Sequence, residues 1–140
     1  VKNMIKPSKF QFNNPILKGI LFEINENFDE DNYSGVKLSG KTKITKLRQK
    51  NKAKVAFKLS VGEKTPSCPF YIDIEMEAIF TWENNLEPNM VKKLLKVNAP
   101  SLLLGYMRPL ISNITNSSQY PTFNIPFLDM QENEAIFEEE

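Results

Sequence analysis

Ala99-Pro-Ser-Leu-Leu-Leu-Gly-Tyr-Met-Arg-Pro-Leu-Ile-Ser-Asn-Ile-Thr115, followed by Gln119-Tyr-Pro-Thr-Phe-Asn-Ile-Pro-Phe-Leu-Asp-Met130, couples a helical pattern to an extended, proline-stiffened apolar segment. On a helix, Leu103, Tyr106, Met107, Leu110, Ile111 and Ile114 fall on one stripe that needs a covering layer. Leu102 and Leu104 widen the apolar surface beyond that stripe, which predicts a second buried face, such as a subunit interface. Pro100 suits a first helical turn. Pro109 lies mid-pattern, where it removes a hydrogen bond and presses on the carbonyl of Gly105, so one kinked helix from about Pro100 to Asn116 is expected, or two abutting ones.

The layer beneath that helix is written in period two. From Phe70 to Trp82 the even positions Phe70, Ile72, Ile74, Met76, Ala78, Phe80 and Trp82 are apolar, marking a long strand with one dry face. Ala53, Val55, Phe57, Leu59 and Val61 repeat the pattern, joined to the first strand through Gly62 to Ser67. Ile16, Ile20, Phe22 and Ile24 alternate around Lys18, and Val36, Leu38, Thr42 and Ile44 alternate more weakly. Short polar turns between such strands predict an α+β fold: a four-stranded antiparallel sheet with C-terminal helices on one face. Asn27 to Gly35 is too long for a tight hairpin and predicts a connection crossing over the sheet, while Leu86 to Val97 predicts a short helix. Residues 1–130 are expected to form a single domain. Residues 131–140, with Glu132, Glu134 and Glu138 to Glu140, are expected to be an acidic, flexible tail.

Composition removes most chemistry. The chain has 140 residues and no histidine, so it holds no Ser-His or Cys-His nucleophile pair and no imidazole metal ligand, and no metal site is expected. The lone Cys68 forms no internal disulfide and fits a reduced, cytoplasmic setting. Five scattered glycines make no phosphate-cradling loop, so no nucleotide or other cofactor is expected, nor any catalytic residue. A net charge of +1 gives no reason for a nucleic-acid partner, and no apolar run is long enough to insert in a membrane. The charge is nevertheless segregated: basic residues from Lys37 to Lys58 precede Asp73, Glu75, Glu77, Glu83 and Glu87, a pattern that predicts cross-strand neutralisation on a solvated sheet face. What survives is binding through apolar surface. Phe123, Ile125 and Phe127 alternate between Pro121 and Pro126, and Tyr106, Met107, Phe28 and Tyr33 are candidates to complete a groove.

The order Ala-Pro-Ser-Leu-Leu-Leu-Gly-Tyr-Met-Arg, then Ile-Ser-Asn, then Tyr-Pro-Thr-Phe-Asn-Ile-Pro resembles the signature of the SecB export-chaperone family. Pro100, Leu103, Tyr106, Arg108, Ile111, Ser112, Pro121 and Pro126 match it. Gly105, Pro109 and the run Phe127-Leu128-Asp129 depart from it, as in a divergent member. The resemblance implies a Greek-key sheet and a homotetramer built as a dimer of dimers, with Leu102 and Leu104 at subunit interfaces. It implies an ATP-independent holdase that keeps unfolded polypeptides export-competent for the Sec translocase, with Phe28, Tyr33, Tyr106, Met107, Phe123, Ile125 and Phe127 meeting the client. For docking to the motor ATPase SecA, the family's acidic residues correspond to Glu23 and Asp73, while a further one is replaced by Gly19. Two alternatives stay open: a dedicated chaperone of one partner, such as the antitoxin of a toxin–antitoxin pair, and a self-associating adaptor.

Overall fold

The computed structural model describes residues 3–140. The two long alternating patterns form adjacent antiparallel strands, β4 (Lys52–Gly62) and β5 (Phe70–Trp82), in register from Lys52↔Thr81 to Gly62↔Tyr71. On the other side of β4 lies β3 (Leu38–Lys46), also antiparallel. β1 (Phe10–Phe12) and β2 (Ile16–Ile24) share the far edge, both pairing with β5 and stepping past each other along it. A bulge between Leu17 and Gly19 sets Lys18 aside from the ladder, and its ammonium meets Glu77 at 3.5 Å. The segment between β2 and β3 therefore crosses the end of the sheet, as its length predicts. It is tied down there by Asp29 N–H donating to Pro66 O at 2.8 Å and Gly62 N–H donating to Lys37 O at 2.7 Å.

The sheet has six strands instead of the expected four. β1 is only three residues long, too short to show a period. The larger correction concerns the acidic end. Residues 134–139 are not a frayed tail but strand β6 (Glu134–Glu139), which pairs with β3 in parallel from Lys41↔Glu134 to Lys46↔Glu139. Its carboxylates oppose the lysines of β3, with Lys43 Nζ 3.3 Å from Glu138, so like-charge repulsion within the segment is relieved by a strand more than 85 residues away.

One sheet face is dry. Ala53, Val55, Phe57, Leu59 and Val61 of β4 and Phe70, Ile72, Ile74 and Phe80 of β5 are buried beneath the C-terminal helices. The opposite face carries the predicted cross-strand charge pairing, including Lys58 to Asp73 at 3.3 Å, and Ser60 Oγ donates to the other Asp73 oxygen at 3.2 Å. Helix α1 (Pro88–Lys93) passes through a π-helical turn over Leu94–Asn98 into α2 (Ala99–Asn116). The wide turn sits where the Pro100 ring would otherwise press on the carbonyl of Lys96. Pro109 lies inside α2, which remains one helix. No helix among the described residues is long and apolar enough to cross a membrane.

Candidate functional site

The phase of α2 decides which predicted residues reach the surface. Pro100, Leu103, Leu104, Met107, Ile111 and Thr115 face the sheet and are buried. The inward face is thus rotated toward Leu104 and away from Tyr106, which is 44% exposed and meets Phe12 of β1 edge to face at 6.3 Å. Two expectations are corrected by this rotation. Met107 is 0% exposed and belongs to the core, so it lines no groove, and Leu104 is covered by its own chain instead of adding surplus area. Leu102 is half-buried beside Phe10, Phe12 and Phe80 in a recess at the start of α2.

The extended segment after α2 is laid along the molecule by two polar anchors. Fully buried Thr115 donates through Oγ1 to Ile111 O at 2.8 Å and accepts the Phe123 N–H at 2.9 Å, which clamps the segment to the helix end. Further along, Arg108 donates to the carbonyls of Ile125 and Pro126. This anchoring breaks the simple alternation read from the sequence. Ile125 is turned into the core, 5% exposed, and Phe127 projects wholly into solvent, so neither joins Phe123 in a groove.

Phe123 instead meets residues of the crossing segment. Phe28, Tyr33 and Phe123, all singled out in the sequence, line an open recess of about 470 Å³ together with Val36, Phe70 and Tyr120. Phe28 packs edge to face on both Tyr33 and Tyr120 at 5.9 Å, and Phe70 packs on Phe123 at 6.1 Å and on Tyr120 at 6.5 Å. Such rings present a rigid apolar lining with little rotamer entropy to lose on binding. Tyr33 at the rim is 52% exposed. Sequence reasoning missed Tyr120 and Phe70: Phe70 reads as an ordinary core-face strand residue, and only the return of the chain after α2 brings Tyr120 beside it.

The two acidic positions Glu23 and Asp73 lie on the solvated sheet face of neighbouring strands, two positions apart in the register Leu21↔Asp73 and Glu23↔Tyr71. Each has a lysine beside it, Lys64 at 3.8 Å from Glu23 and Lys58 at 3.3 Å from Asp73.

Fold and recess define a class: a one-sided α+β sheet protein with an open aromatic recess beneath a crossing connection. The family model described as preprotein translocase subunit SecB matches residues 6–139, and the chain belongs to the SecB family. A protein-export protein SecB from Anaplasma phagocytophilum is 32% identical over 83 residues, 58% of this chain and 49% of that protein, so the match spans about half of that relative's length. An uncharacterised protein of Methanocaldococcus jannaschii is 28% identical over 133 residues, covering 92% of this chain and 84% of that one. Among solved structures, the SecB-like chaperone of Mycobacterium tuberculosis in complex with a ChAD peptide from the HigA1 antitoxin superposes with a TM-score of 0.65. It shares 11% identity, with 86% of this chain and 91% of that chain covered. A protein of unknown function from Streptococcus agalactiae gives 0.57 at 12% identity, covering 84% and 97%. These two likenesses show the shared fold.

Proposed function

We propose that this chain is a non-enzymatic, ATP-independent holdase that captures non-native polypeptide segments and keeps them unfolded for export by the Sec translocase. The recess of Phe28, Tyr33, Tyr120 and Phe123 carries this reading, because an unfolded client offers apolar side chains in no fixed geometry and an open aromatic lining accepts many of them. Burial at roughly 25 cal/mol per Å² competes with a client's own folding. Capture at several recesses of an assembly multiplies through effective concentration.

The expected assembly is a cytoplasmic homotetramer. Ile16, Leu17, Ile20 and Leu21 of β2 are exposed on a strand whose outer edge carries no partner among the described residues, and Tyr106 is exposed near the same side of the sheet. Light scattering at micromolar concentration should give a tetramer mass; a monomer mass contradicts this part.

Suppression of aggregation of several unrelated unfolded proteins at stoichiometric ratio is the expected result for a general holdase. A second reading is favoured by the fold neighbour seen with an antitoxin peptide: a chaperone dedicated to one partner, for which protection would extend to that partner alone. Protection of no client would leave the self-associating adaptor. For SecA, the shared face of Glu23 and Asp73 supports docking, while Lys64 and Lys58 weaken the local negative field. The double substitution Glu23→Lys and Asp73→Lys is expected to weaken SecA binding about tenfold in calorimetry, roughly 1.4 kcal/mol; unchanged affinity removes these residues from the interface.

A further inference from the structure

The geometry points to a second polypeptide site along the outer edge of β3, occupied in this structure by the chain's own β6 and exchangeable for an acidic, aromatic-bearing segment of a partner polypeptide. It rests on the reading of this protein as a polypeptide binder and adds where, and with what chemistry, a second segment is held.

Strand β6 is lightly attached. Ile136 and Phe137 remain 49% and 43% exposed, and the charged contacts of the segment, Lys43 with Glu138 at 3.3 Å and Arg48 with the adjoining Glu140 at 4.0 Å, are solvent-exposed. Exposed pairs of that kind contribute little to stability, because solvent and salt screen them. Most of what holds β6 is therefore the parallel backbone ladder to β3, which any extended segment can supply whatever its side chains.

The surroundings then select among segments. Lys41, Lys43 and Lys46 line the β3 edge and favour carboxylates beside it. Where β6 ends, a cavity of about 1050 Å³ opens between the β3–β4 turn and α1, with Arg48, Lys50 and Lys92 around an apolar floor that includes Trp82, Leu86 and Leu95. Phe137 of β6 lines that cavity with the Lys92 ammonium 5.3 Å from its ring centroid, and the ring is 43% exposed. The structure thus contains one worked example of the ligand, an aromatic flanked by carboxylates on a parallel strand, and the cavity has room for a larger apolar group.

The test uses a labelled peptide of sequence Glu-Ala-Ile-Phe-Glu-Glu-Glu and a chain ending at Asn133, read by fluorescence anisotropy. The shortened chain should bind the peptide at least about tenfold more tightly than the full chain. That binding should weaken as salt rises from about 50 mM to about 300 mM, and Lys43→Glu with Lys46→Glu should reduce it by a similar factor. Equal binding by full and shortened chains, no binding by a shortened chain that circular dichroism shows to be folded, or indifference to the charge reversal each overturns the proposal. Should the shortened chain not fold, the full chain carrying Glu138→Lys and Glu139→Lys takes its place: its strand is repelled from β3, so peptide binding must exceed that of the unmodified chain, and no gain overturns the site. Aggregation suppression by the full chain, run in parallel, separates the two ideas. Retained client holding without peptide binding discards the β3 edge alone, whereas peptide binding without client holding discards general capture and keeps the edge.

Discussion

Met107→Ala is expected to lower the unfolding free energy by about 2–5 kcal/mol, with a fall of roughly 10 °C in the thermal midpoint at fixed protein concentration. Met107 is fully buried between α2 and the sheet, in the same cluster as Phe57, Ile72, Leu103 and Ile111. Truncation removes its transfer energy and leaves a cavity that α2, held at its far end by Thr115, cannot close by shifting. Its sequence neighbour behaves differently. Tyr106→Ala should cost about 1 kcal/mol or less, because the ring is nearly half in solvent and its main ordered contact is one edge-to-face pairing with Phe12. Denaturant titration of both variants decides the phase of α2: equal losses would mean that Tyr106 and Met107 are equivalently placed, against the rotation described above.

Gly62→Ala should be at least as damaging, at about 3 kcal/mol or more, through the backbone instead of the core. Gly62 has φ +79°, a region that an alanine enters at a steric cost. An added Cβ would also sit inside the van der Waals surface of the Phe70 carbonyl oxygen, at the first residue of β5, and 3.0 Å from Cys68 Sγ in the β4–β5 connection. The Gly62 N–H is committed to Lys37 O, so the residue cannot move without loosening the crossing segment that carries Tyr33. Urea unfolding of the purified variant measures the effect; a loss under about 1 kcal/mol would show that the turn relaxes freely.

What could be read from the chain alone divides along physical lines. β4 and β5 were legible because burial of one face imposes period two over eleven and thirteen residues, and no helix satisfies that pattern. The length of α2 was legible as well, since its apolar repeat runs unbroken from Leu103 to Ile114. Its phase was not. A stripe of six apolar residues is compatible with several rotations, and the choice between Leu104 and Tyr106 is made by the sheet beneath. β6 was hidden because glutamates on an edge strand look like a solvated tail until the opposing lysines of β3 are known. In the recess, Phe28, Tyr33 and Phe123 stood out as aromatics in polar or proline-bearing segments with no periodic core to join. Alternation groups Ile125 and Phe127 with Phe123 only while the chain stays straight. Arg108 anchors the segment at the Ile125 and Pro126 carbonyls, and the three side chains part company there.

In the function proposed for this chain, unfolded polypeptide is held at the aromatic recess under the crossing segment. Tyr33→Asp combined with Phe123→Asp places two carboxylates on its lining while leaving the core of Phe57, Ile72 and Met107 untouched. The direct measurement is aggregation of an unfolded client at stoichiometric ratio, with folding of the double variant verified by circular dichroism. The unmodified chain is expected to suppress aggregation, and the folded variant to lose most of that protection because its affinity for client falls at least about tenfold. Undiminished protection by the folded variant would contradict it.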